Sequence, residues 1–213
     1  MSTKNITLTF PDGKTREYAR GITAIDVAKL LSKSLSKKVL AAKIDGILVD
    51  ASYSINKNVD LELITKNDPE GLELIRHDAA HVLAEAVQEI FPGTQVTIGP
   101  VIENGFYYDF ARDEPFSDED FAAIEKKMSF IIDRNDKFER IEVKREEAVK
   151  IFRELGENFK AELIEDLPES EIITLYKQGK WFDLCRGPHL PSTGKIGKAF
   201  KLMKVAGAYW RGR

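Results

Sequence analysis

The chain has a single cysteine, Cys185, among its 213 residues. One thiol cannot build an internal disulfide framework, and such sparing use fits a reducing cytosol. Histidine is nearly as scarce, with three. No apolar run approaches the ~20 residues that a membrane helix needs. The opening MSTKNITLTF is polar and then alternating, so it lacks the apolar stretch of a signal peptide. There is no internal repeat and no low-complexity stretch. What is present, 43% hydrophobic and 31% charged residues, is the composition of a soluble globular protein. The length suits one or two domains, each able to bury a core.

The net charge of −3 says little until it is divided along the chain. Residues 1–66 hold 11 Lys/Arg against 7 Asp/Glu, residues 67–179 hold 13 against 27, and residues 180–213 hold 8 against 1. A basic tail on an acidic body suits a polyanion contact, although a solvated face reads the same way.

The first ~66 residues read as a small α+β unit. Ile6, Leu8 and Phe10 alternate with Thr7 and Thr9, Pro11–Lys14 is a turn, and Thr15 to Tyr18 returns. Thr23 caps a helix whose apolar face is Ile25, Ala28, Leu31 and Leu35. Val39–Ile44, an Asp45-Gly46 turn, Ile47–Val49 and Leu61–Ile64 complete a ββαβββ order, the β-grasp (ubiquitin-like) arrangement. Asn67-Asp68-Pro69-Glu70 marks a boundary, with Asp68 as cap and Pro69 in the first turn of a helix reaching Ile90. Strands follow near Gln95–Ile98 and Phe106–Phe110, then a helix from Ser117 to about Asp133 and a strand at Phe138–Val143. Helices at 145–155 and 158–167 come next, and then strands at Ile172–Tyr176, Trp181–Leu184 and Ala199–Val205. The expected fold class is α+β throughout, a β-grasp domain over 1–66 and a larger domain with antiparallel sheet over 67–213.

All three histidines and the cysteine fall in two pieces, His77-Asp78-Ala79-Ala80-His81 and Cys185-Arg186-Gly187-Pro188-His189. Residues four apart share a helix face, so both imidazoles of the first piece can point at one object. Gly187-Pro188 forces a turn that can bring Cys185 and His189 together. Unrelated core or surface roles are one reading. A zinc site is a second, since imidazoles and a thiolate are tetrahedral ligands. A metal-free hydrolytic pocket, with imidazole as base, is a third. Spacing alone leaves the last two open. Asp78 rather than Glu follows His77, so the metalloprotease signature is absent.

Four strings in series, HDAAHVLAEAV, GPVIENGFYYDF, WFDLCRGPH and FKLMKVAGAYWRG, resemble the N-terminal half of bacterial threonyl-tRNA synthetases. FPDGKTREY and the later IDG turn resemble the β-grasp TGS domain that opens those enzymes. The resemblance covers essentially the whole chain. It implies a TGS domain at 1–66 and an editing domain at 67–213 that hydrolyses mischarged seryl-tRNA(Thr). A cytoplasmic protein is implied.

On that resemblance His77 activates or positions the attacking water together with Lys160, and His81, Asp183, Cys185 and His189 complete the catalytic group. Lys160 stabilises the oxyanion or holds the terminal ribose. Asp183 binds the substrate's amino group or hydroxyl. Tyr108 and Arg186 are substrate-binding. Read without the family, Lys160 is an exposed helix lysine and Tyr108 is half-buried packing. The family's editing site implies no metal ligand and no cofactor. ATP and zinc belong to an aminoacylation domain expected beyond this stretch, since class II synthetase motifs are absent from it. The partners implied are the acceptor end of tRNA(Thr), met by Lys180, Arg186, Lys195, Lys198, Lys201, Lys204, Arg211 and Arg213, and a serine or threonine ester. The full-length enzyme is expected to be a homodimer, the fragment a monomer, with no membrane partner. Asp78 stands where the family often has Ser, and Phe159 where Tyr is common. Two alternatives are an alanyl-type stand-alone deacylase and a non-catalytic RNA-binding TGS module.

Overall fold

A computed structural model describes residues 5–210. Contacts divide the chain into two compact units. The first runs to Ile75 and includes Gly187–Pro191. The second holds Arg76–Arg186 and the residues from Ser192 onward.

In the first unit β1 (Asn5–Thr9) pairs antiparallel with β2 (Thr15–Ala19). The turn between them closes through Phe10 N–H to Lys14 O at 2.8 Å, with Gly13 at φ +77°. A short β3 (Ile22–Thr23) leads into α1 (Ala24–Leu31), where Thr23 Oγ1 accepts the Asp26 N–H. Then come α2 (Lys33–Lys38), β4 (Val39–Ile44), β5 (Ile47–Asp50), β6 (Ser54–Ile55) and β7 (Val59–Thr65). Asp45 and Gly46 both have positive φ, as a two-residue hairpin turn requires. The sheet order is β2-β1-β7-β4-β5, with β1 and β7 parallel. The alternation foreseen in β1 buries Ile6 and Leu8 against Val27, Ala42, Ile55 and Leu61.

The division between the units falls inside α3 (Pro69–Ile90). In the second unit β8 (Gln95–Val96), β9 (Val101–Ile102), β10 (Gly105–Phe106) and β11 (Phe110–Ala111) form two short pairs, β8 with β11 and β9 with β10. A 3₁₀ turn at Asp118–Asp120 opens α4 (Phe121–Arg134), which ends on Asn135 in the left-handed region, φ +52°. After these come β12 (Phe138–Val143), α5 (Arg145–Glu154), α6 (Asn158–Asp166), β13 (Ile173–Gln178) and β14 (Trp181–Leu184). The last three strands make an antiparallel sheet, β12-β13-β14. Ile173 and Leu175, with Phe182 and Leu184, put one sheet face onto Phe152, Ala161 and Ile164 of α5 and α6. By the period of two, Thr174, Tyr176, Gln178, Trp181 and Asp183 occupy the other face.

Four expectations need correction. The helix foreseen from Thr23 to Leu35 is two helices. Ser32, extended at φ −164°, ends α1, and its Oγ accepts the Leu35 N–H to start another turn. Asp68 does not cap α3 with its side chain, which instead accepts from Thr65 N and Oγ1 at 2.7 and 3.0 Å. The strand foreseen at Phe106–Phe110 is split. Pro100 has no N–H to continue the ladder, and Asp109 alone faces two residues, donating to Ile98 O at 2.8 Å and accepting from Thr97 N–H at 3.1 Å. Finally, residues 199–205 form no strand. Strand propensity needs a ladder partner, and this stretch lies exposed, with Met203 80% accessible.

Candidate active site

The helix spacing of α3 and the pleat of β13 and β14 together build one polar seam in the second unit. Positions 77, 81, 85 and 88 lie along one stripe of α3. Each meets a residue from the polar sheet face or its end. His77 Nε2 lies 3.1 Å from Cys185 Sγ. His81 Nδ1 lies 3.2 Å from Asp183 Oδ2. Glu85 Oε2 accepts from Gln178 Nε2 at 2.6 Å, and Gln88 Oε1 accepts from Trp181 Nε1 at 2.7 Å. The two imidazoles stand edge to face with ring centres 4.8 Å apart. Cys185 is set by its backbone: its N–H donates to Thr174 O at 3.1 Å and its carbonyl accepts from Thr174 Oγ1.

Asp183 is the hub. It is 1% exposed and receives four donors. Lys160 Nζ at 2.7 Å and Leu184 N–H at 2.8 Å reach Oδ1, while Tyr108 Oη at 2.6 Å and His81 reach Oδ2. Burial alone would raise its pKa. The Lys160 charge and the His81 hydrogen bond outweigh that and hold the carboxyl well below the usual range. An ionised carboxylate only accepts, so Nδ1 of His81 carries the proton and the lone pair of neutral His81 is on Nε2. Lys160, 3% exposed, uses all three ammonium donors: Asp183, Tyr108 Oη at 3.0 Å and Thr97 O at 2.5 Å. Burial, then the negative charge of Asp183, pushes the Tyr108 phenol well above 10.

The structure therefore brings His77, His81, Lys160, Asp183, Cys185 and Tyr108 together within the second unit. Lys160 is a saturated buried ammonium rather than an exposed lysine, and Tyr108 is buried. Neither state is visible in spacing. Arg186 is exposed, and its Nε donates to Glu171 at 2.6 Å. His189 belongs to the segment grouped with the first unit. It is buried, and its N–H donates to Asp50 Oδ1 at 2.7 Å. Of the basic tail, Lys180, Lys198, Lys201 and Lys204 are exposed, and Lys198 pairs with Asp133 at 2.6 Å. Arg211 and Arg213 lie outside the described residues.

Three participants escaped sequence reasoning: Glu85, Gln88 and Glu157. For Glu85 and Gln88 the signal was polar side chains continuing the histidine stripe where an apolar face was due; Glu157, before α6, gave none. Ligand atoms of His77, His81 and Cys185 lie within 4.8 Å of one another, and two imidazoles with a thiol are chemically fit for zinc. A surface cavity of about 600 Å³ with mixed polar and apolar walls lies elsewhere, lined by Glu142, Val143, Arg145, Glu169, Glu171 and Ile172, none of which belongs to the seam.

Residues 6–65 match the TGS domain, and residues 173–209 match the threonyl and alanyl tRNA synthetase second additional domain. By these two matches the chain is similar to a TGS domain in its first part and to the second additional domain of such synthetases in its last. The chain matches the N-terminal region of bacterial threonine–tRNA ligases. It is 61% identical to the threonine–tRNA ligases of Rhodopseudomonas palustris and Hyphomonas neptunium over 97% of its own length, and 60% identical to that of Chelativorans sp. over 96%. The chain spans about a third of the length of these relatives, 32% of the first.

Proposed function

We propose that the chain is the proofreading part of a threonine–tRNA ligase and hydrolyses the ester of seryl-tRNA(Thr). The His77–Cys185 contact across 108 positions, joined through His81 to a buried Asp183–Lys160 pair, carries this reading. The need for hydrolysis is physical. A site that takes threonine through its hydroxyl also takes serine, and a missing methyl is worth only ~1–3 kcal/mol of discrimination.

In the proposed reaction water adds to the ester carbonyl carbon. The bond to the 3′-terminal ribose oxygen then breaks, and the water's proton ends on that oxygen. His77 takes and returns the proton. His81 orients a water or substrate donor through Nε2, held by Asp183. Lys160 supplies positive charge for the developing oxyanion. It touches substrate only by exchanging one of its three acceptors, so its first duty is to hold Asp183 and Tyr108. For the same reason Asp183 acts through His81 and Lys160 rather than as a free substrate ligand. Arg186 and the exposed tail lysines receive the acceptor end of tRNA. The two domains extend over 1–66 and 67–213.

The reaction needs no cofactor on this reading. Were zinc bound, His77, His81 and Cys185 would hold it, and it would supply a more acidic water. ATP-dependent attachment of threonine, with its ATP and zinc, belongs to the remaining two thirds of such enzymes, acting in the cytoplasm as homodimers. Among the described residues no helix is long and apolar enough to cross a membrane.

The test is to incubate the chain with Ser-tRNA(Thr) and Thr-tRNA(Thr) and follow ester loss. Serine should be lost selectively, and His77→Ala should slow that loss on the order of 10²- to 10⁴-fold. Retained tRNA binding without turnover would instead favour a non-catalytic module. Stoichiometric zinc with chelator-sensitive turnover would overturn the metal-free reading.

A further inference from the structure

We infer that Glu157, outside the catalytic group, is a positioning residue that sets the start of α6 so that Lys160 reaches Asp183; the inference rests on the proofreading reading. Glu157 precedes α6 at the position where a side chain normally caps the helix, yet it makes no such cap. Its carboxylate turns instead into the interior, where the residue is 8% exposed. There Oε2 accepts the Val96 N–H at 2.8 Å, and Oε1 accepts from Gln88 Nε2. Gln88 is itself fixed, donating to Thr94 O at 2.9 Å and accepting from Trp181 Nε1.

Two neighbouring contacts repeat the tie. The Asn158 N–H donates to Gln95 Oε1 at 2.9 Å, and Lys160 Nζ donates to Thr97 O. Thus three consecutive residues, Gln95, Val96 and Thr97, hold the first turn of α6. Through Gln88 the same carboxylate is bound to the stripe of α3 that carries His77 and His81. Burying a carboxylate among neutral donors is costly, and a neutral amide could accept one of the same bonds. What the amide cannot supply is a second acceptor and a negative charge that attracts Lys160. Both favour the geometry in which Lys160 meets Asp183.

Single-turnover deacylation of Ser-tRNA(Thr) separates the roles. A displacement near 1 Å costs up to about a hundredfold in rate. Glu157→Gln, close in shape and retaining one acceptor, should lower the limiting rate roughly tenfold, with the half-saturating concentration within about twofold. Glu157→Ala should lower it further. In parallel, the ¹⁵N-labelled Lys160 ammonium should give a slowly exchanging NMR signal that shifts or broadens in Glu157→Gln while the melting temperature stays near wild type. A wild-type limiting rate in Glu157→Gln, or an unchanged Lys160 signal, would overturn the inference. An inactive wild-type chain would sink the proofreading reading instead, and the Lys160 signal would still decide the role of Glu157.

Discussion

The interiors of the two units are made of different material. Among its described residues the first unit buries one polar or charged side chain, His189, while Leu8, Val27, Ala42, Ile55 and Leu61 pack on one another. The second unit buries Asp183, Lys160, His81, Glu85, Glu157 and Gln178 along one seam. Aliphatic burial is favourable by itself, at about 25 cal/mol per Å². Polar burial is unfavourable unless each group finds partners. Around these aliphatic side chains the first interior needs only shape. The second holds only while its hydrogen bonds are complete, and completeness also fixes tautomers and charges. Chemistry is expected where burial is costly.

The sharpest break of this comparison is Asp183→Ala. It strips Lys160 of its counter-ion and His81 of its orienting acceptor. Removing one partner of a buried pair costs about 3–5 kcal/mol, read as a fall in melting temperature, and hydrolysis should vanish with it. Asp183→Asn keeps the shape and tests charge alone. The folded carboxyl is depressed, so its contribution is present above about 3.9 and drains as pH falls below that. Burial raises Glu85 and Glu157, whose contributions have the opposite sign and fade as pH rises. The wild-type minus Asp183→Asn stability difference should therefore shrink as the medium is acidified from pH 5. A difference independent of pH would deny Asp183 its role as the charged hub.

Next in size is Leu61→Ala in the first unit, which should cost about 2–5 kcal/mol by leaving a cavity. Hydrolysis per folded molecule should not change. A lost rate in a variant that is still folded would show that the aliphatic interior serves the chemistry directly.

The same contrast explains what could be read from the residues alone. The β-grasp order, the Asp45-Gly46 hairpin and the bounds of α3 and β12 follow local rules of period, cap and turn, and the structure bears them out. The matched HxxxH and CxxxH spacings pointed to convergence, and His77 meets Cys185. Saturation was not legible. That Lys160 spends its three protons on Asp183, Tyr108 and Thr97 depends on residues 23–63 positions away in the chain. The missing strand at 199–205 fails for the same reason, because a ladder partner is not a property of the segment. Glu157 resembled any helix-start acid until Val96 and Gln88 were beside it.

Tyr108→Phe should have the smallest effect and discriminates most finely. The phenol donates to Asp183 and accepts from Lys160, so its loss removes hydrogen bonds to charged partners, about 1–3 kcal/mol near neutrality. The ring, stacked on Phe110 at 5.1 Å, can stay where it is. The folded phenol is raised well above 10, so its contribution is present below about 10 and is lost as pH climbs through that value. Contributions shared by the two proteins cancel when the variant is subtracted from wild type. The stability gap should therefore be constant from pH 7 to about 9 and narrow above 10. A gap that stayed constant would mean that the Tyr108 hydroxyl is not held beside an ionised Asp183. The second interior would then be polar in composition without acting as one electrostatic unit.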